Sequence, residues 1–171
     1  MRRSFIVFFG TAVMATTASS TALADNAPQA ETVASLRFDG GNATFAVAVQ
    51  VAHPAGYQVE IDCVSGCSSA VSYREPVGDS PLGVFTRDQD DLIFSTWTSG
   101  SAYRVRVWRA SNTGIRKVAE LSSRGRPDVQ SDGFGRSTIR TFERESSTGP
   151  LHPILWTYQG GAFEHGKRKA R

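Results

Sequence analysis

Two cysteines four positions apart, Cys63 and Cys67 in DCVSGC, carry the most reactive side chains in this chain. Their spacing admits three chemistries. As thiolates, helped by a remote histidine, they could ligate a soft metal such as copper. As a dithiol they could exchange electrons, although such pairs normally enclose two residues and sit at a helix N-terminus that lowers a thiol pKa. As a disulfide they would staple a turn, with Val64-Ser65-Gly66 as a three-residue hairpin loop and Gly66 at its left-handed position. An oxidising compartment favours the disulfide, and that is the reading adopted here, with no metal or other cofactor. So small a ring should fix local shape more than global stability.

Other candidate groups are more dispersed. RDQDD clusters Asp88, Asp90 and Asp91 before an apolar run, and reads as a solvated turn ahead of a strand in preference to a metal loop. DVQSDGFGRSTIR is similar to the calcium loops of integrin-type propeller repeats. Those loops need carboxylates at alternate positions, whereas Gln130 and Phe134 flank Asp132, so a plain Gly-rich turn is expected. His53 and His152 each precede a proline, which favours extended loops, and His165 borders a basic tail. No HExxH, Gly-x-Ser-x-Gly or paired-carboxylate motif is present, and a non-enzymatic protein is expected.

The elements that would hold these groups read as strands. ATFAVAVQVA sets Phe45, Val47, Val49 and Val51 on one face, and YQVEIDC does the same with Tyr57, Val59, Ile61 and Cys63. Such alternation marks half-buried strands. LIFSTWT, AYRVRVWRA, IRKVAEL, STIRTFE and ILWTYQGGAFE continue the series, the last turning at Gly160-Gly161. GIRKVAELSSRG is the best helical candidate, and it is short. About seven to nine short strands between Gly, Ser, Asn and Pro turns predict an all-β fold, an antiparallel sandwich or barrel. The rhythm from Leu92 to Phe163 leaves a propeller-like blade as a weaker option. In YRVRVWR, Tyr103, Val105 and Val107 share one face, and Arg104, Arg106 and Trp108 the other. That second face could stack single-stranded nucleic acid, but an Arg-on-Trp contact on an ordinary solvent face is the expectation.

Arg2 and Arg3, an apolar run from Phe5 to about Met14, and small residues ending in Ala22-Leu23-Ala24 predict a removed secretory peptide over 1–24. The apolar run is shorter than the roughly 20 residues that span a bilayer. A periplasmic or secreted protein follows, with a flexible lead-in over 25–34, a single β domain over 35–164 and a basic tail over 165–171. Two of the 19 Lys and Arg and none of the 16 acids lie in the first 24 residues, so the formal +3 falls to +1 on cleavage. Four more cations belong to Lys167, Arg168, Lys169 and Arg171, which leaves the body at −3. That balance argues against nucleic acid as the partner; the tail could touch anionic envelope polymers or headgroups. Residues 25–100 carry ten acids against Arg37, Arg74 and Arg87, an acidic half suited to steering a cationic partner.

SGSAY, residues 99–103, sits between the two most strand-like runs. It matches the Ser-Gly-x-x-Tyr motif of periplasmic lysozyme inhibitors, and the stretch from Arg87 to Val118 resembles the invertebrate-type inhibitor family: an acidic turn, an apolar strand, the Ser-Gly loop and an alternating strand. The motif does not call for the Cys63–Cys67 pair, and residues 121–171 have no counterpart in the resemblance. What the resemblance implies is a loop that enters the cleft of a lysozyme. Ser99 would hydrogen-bond the catalytic acid, Gly100 would allow close backbone approach, and Tyr103 would serve as a rigid anchor. Many lysozymes are cationic, so the acidic half would speed encounter. On the plainer alternative, Ser99-Gly100-Ser101 is a hairpin turn, Tyr103 opens the next strand's core face, and the chain is an envelope β-domain that binds something unrelated.

Overall fold

A computed structural model describes residues 32–38, 42–52 and 54–166. The expected secretory peptide, His53 and the four tail cations lie outside the described residues. Twelve strands form three four-stranded antiparallel sheets, each a simple meander. The first sheet contains β1 (Thr32–Arg37), β2 (Thr44–Val51), β3 (Tyr57–Ser65) and β4 (Ser72–Val77). The second contains β5 (Ser80–Arg87), β6 (Leu92–Ser99), β7 (Ala102–Ser111) and β8 (Gly114–Ser123), and the third β9 (Asp128–Ser131), β10 (Ser137–Arg144), β11 (Leu151–Gln159) and β12 (Ala162–His165). The sheets stack as sandwich-like layers, and none closes into a barrel.

The predicted alternation in β2 and β3 is realised. Phe45 lies opposite Cys63, Val47 opposite Ile61 and Val49 opposite Val59, and these side chains build the core between the first and second sheets with Leu36, Ile93, Trp97 and Trp108. Their polar neighbours turn outward, where Arg74 holds both Asp62 carboxylate oxygens at 2.8 and 2.9 Å. Val51 runs past the core and is exposed.

The second sheet differs in kind, because it is buried on both faces. Ile93, Trp97 and Trp108 face the first sheet, while Leu92, Phe94, Val105 and Val107 face the third, where Ile139, Tyr158 and Phe163 complete a second core. A strand with two apolar neighbours must carry apolar side chains at consecutive positions, which is why LIFSTW reads as a continuous run. This corrects the solvent-face expectation for YRVRVWR: Trp108 is fully buried and Arg106 nearly so, and the guanidinium of Arg106 lies 5.5 Å over the ring of Trp97.

There are more strands than expected. β1 starts at Thr32, inside the predicted lead-in. β4 and β5 (SYREPV and SPLGVFTR) were hidden by their prolines and glycine, which break the alternation, and DVQS, expected as turn, is β9. GIRKVAEL is strand β8 and no helix. Gly160 and Gly161, with φ of 63° and 89°, form the two-residue turn between β11 and β12, the backbone that a type I′ hairpin requires.

Cys63 and Cys67 are disulfide-bonded, with Cα atoms 6.4 Å apart. The geometry around them differs from a three-residue hairpin. The strand partner closing the β3–β4 turn is Val71, whose carbonyl accepts from the Cys63 N–H at 2.9 Å, so the disulfide cinches one arm of a longer loop. Gly66 has φ +76°, and a β-carbon there would come within 2.2 Å of the Asn42 carbonyl oxygen. The loop is thus pressed onto the turn that precedes β2. Replacing both cysteines by serine should cost about 1–2 kcal/mol, less than the ~3 kcal/mol of a 15-residue ring. Urea denaturation of the double variant would check this, and loss of folding would make the staple global.

Candidate functional site

Gly100 and Ser101 are the two exposed residues of a tight turn in which Ser99 pairs with Ala102 and Thr98 with Tyr103. Gly100 has φ +58° and Ser101 is not left-handed, which is the type II′ pattern with glycine at the first central position. Added bulk at Gly100 would meet no atom within 4 Å, so the tip is open to solvent. Ser99 and Tyr103 are half-buried. The three motif residues are therefore together, and Ser99 lies near Asp79, whose ionised carboxylate it helps to favour. The free hydroxyl at the tip is that of Ser101.

Asp79 ties the turn to a charge network between the first two sheets. Arg106 Nη2 reaches Asp79 at 2.9 Å and Glu120 at 3.4 Å, and its Nε lies 3.7 Å from Glu75. Lys117 bridges Glu75 and Glu120 at 2.9 and 2.8 Å, and Arg104 joins Asp79 and Glu120 at 3.4 and 3.3 Å. Tyr73 donates to Glu75 at 2.6 Å.

Burial alone would raise the Glu75 carboxyl, but hydrogen bonds from Tyr73 and Lys117 outweigh it and hold the group below the ordinary range. Burial likewise opposes ionisation of Asp79 and is overcome by Ser99 and Arg106. The Lys117 hydrogen bond is the main cause of the lowering at Glu120. Burial would lower Lys117, and its bonds to Glu120 and Glu75 raise it instead.

Depressed carboxylates contribute stability above their unfolded range, which they lose as pH falls through the folded values, and a raised lysine contributes until pH climbs through its own. Unfolding free energy should therefore hold from about pH 5 to about pH 10 and fall on either side. Urea midpoints across that range check it. In Glu75→Gln the acid limb should flatten.

Of two open grooves, the first adjoins the hairpin. One, of about 430 Å³, is lined by Ser101, Arg104, Ser122, Arg124 and Arg144, with Ser99 at its wall. The other, of about 860 Å³, runs along the third sheet past Glu143, His152, Ile154, Trp156 and His165. Glu143 and Arg144 at the end of β10 line both.

The acidic turns are engaged in building structure. Asp90 Oδ2 accepts from Ser137 N–H and hydroxyl at 2.9 and 2.5 Å, and Asp88 accepts from the Arg37 N–H at 3.3 Å. Asp91, buried with φ 55°, lies 3.8 Å from Arg109. Asp132 accepts from Phe134 N–H, Arg136 N–H and Arg136 Nε within 2.9 Å, which locks a turn that holds Phe134 88% exposed. Among the described residues, no three His, Cys, Asp or Glu are placed to hold a metal ion. No helix among them is long and apolar enough to cross a membrane.

No family model, curated protein or solved structure matches the chain.

The larger groove left little trace in the sequence. Its residues come from three strands, and the only local trace is the alternation His152, Ile154, Trp156, Tyr158 within LHPILWTY. The Phe134 tip had a clearer signal, an aromatic side chain between two glycines in a polar turn.

Proposed function

We propose that this chain is an exported, non-enzymatic binding protein that blocks a lysozyme by seating the Ser99–Tyr103 hairpin in its active-site cleft. The observation that carries the reading is the turn itself: a two-residue tip, open at Gly100 and Ser101, on a strand pair buried on both faces. A rigid tip loses little conformational freedom on binding. Lysozymes cut polysaccharide between two carboxyl groups. The Ser101 hydroxyl is free to bond one of them, Tyr103 offers a half-buried aromatic shoulder, and Arg104 and Arg124 line the adjoining groove.

The test is residual activity of chicken-, invertebrate- and goose-type lysozymes on cell-wall substrate, titrated with the protein and with Ser101→Arg and Tyr103→Ala variants. Ser101 is exposed, so Ser101→Arg should fold normally and abolish inhibition. No inhibition of any type at micromolar protein, or full inhibition by Ser101→Arg, would remove the hairpin from this role.

A further inference from the structure

We infer that the 860 Å³ groove on the third sheet is a binding site for a neutral oligosaccharide. Its volume lies within the roughly 300–1,000 Å³ of small-molecule sites. Among the described residues, β12 pairs with Trp156–Gln159, and Leu151–Leu155 of β11 pair with β10 alone. Pro153 falls within that stretch, as expected of a residue that gives no donor to a ladder.

The inward face there carries Thr141 opposite Ile154, Ile139 opposite Trp156 and Glu143 opposite His152. Trp156 spends its Nε1 hydrogen on Thr141 Oγ1 at 2.9 Å, which leaves apolar ring surface for the groove. His165 stands edge-on to it, with centroids 5.3 Å apart and planes at 84°.

A sugar ring has an apolar face of C–H groups and a rim of hydroxyls that both donate and accept. Trp156 and Ile154 suit the face. Around them Glu143 and Glu145 accept, while His152 and His165 have ring nitrogens of both kinds. Among the described lining residues two carboxylates stand against Arg144, so this lining strongly favours neither a polycation nor a polyanion. The groove is half-open along a strand, which suits an extended chain.

The inference stands apart from the hairpin's role, and its test uses no lysozyme. The intact protein is titrated with chitotetraose and cellotetraose by calorimetry and tryptophan fluorescence. Trp97 and Trp108 are fully buried, so a fluorescence shift on binding reports Trp156. Saturable binding of either sugar is expected, weakened about tenfold in Trp156→Leu and unchanged in Ser101→Arg. Trp156 partly supports the second core. If Trp156→Leu fails to fold, Glu143→Gln with His152→Ala carries the test and should weaken binding about tenfold. No heat or shift at millimolar sugar overturns the inference, as does undiminished binding by the folded variants. Salt-sensitive binding of tetralysine without sugar binding would also overturn it, making the groove a cationic-peptide site.

Discussion

Arg106→Met should lower the unfolding free energy by about 3–5 kcal/mol, the usual cost of removing one partner from a buried ionic cluster. Arg106 is 7% exposed and its guanidinium stands among Glu75, Asp79 and Glu120. Methionine fills similar volume but cancels no charge. Lys117 and Arg104 would then face three carboxylates across a partly desolvated seam, and the Asp79 carboxylate would lose its 2.9 Å partner. The cost should come from the charges left behind more than from the lost bond. A second substitution separates these causes: Arg106→Met with Asp79→Asn should recover much of the loss. Urea denaturation of both variants measures this. A single variant within about 1 kcal/mol of the parent would mean the seam is wetter than its burial implies.

Trp97→Ala should cost a similar amount, about 3–5 kcal/mol, by a different route. The Trp97 side chain is fully buried, its ring centroid lies 6.3 Å from that of Tyr57, and its Nε1 donates to Ser95 Oγ at 2.6 Å. Truncation opens a cavity in the core between the first two sheets. It also strips the aromatic floor from under Arg106, so the two substitutions should couple. The double variant should fall short of the summed losses by more than the few tenths of a kcal/mol expected of independent sites. Strict additivity would mean that the 5.5 Å stacking contributes nothing.

What the sequence disclosed follows from how local the signal was. Strands whose polar side faces solvent, such as β2 and β3, showed their alternation directly, and the turns at Gly66, Gly100 and Gly160-Gly161, all with positive φ, were marked by their glycines. β7 was harder. Its arginines look like a solvent face, and only Glu75 and Glu120 from other strands, with Asp79 from the β4–β5 turn, offset the burial of Arg106. The same holds for the candidate sites. The hairpin lies within five consecutive residues and could be read, whereas the Trp156 groove depends on where β12 stops and on pairing between β10 and β11.

The two-faced burial of the second sheet has a consequence for the order in which the molecule comes apart. The first and third sheets each have one core to lose, while β6 and β7 contribute to both. Either outer layer can open while the middle sheet keeps its other core, but the middle sheet cannot open without exposing both. Amide protons of β6 and β7 should accordingly exchange with solvent last, through global unfolding alone, while those of an outer layer escape through cheaper partial openings. The hairpin tip at Gly100 and Ser101 thus projects from the most slowly opening part of the molecule, and its shape should persist through openings that carry away either neighbouring layer.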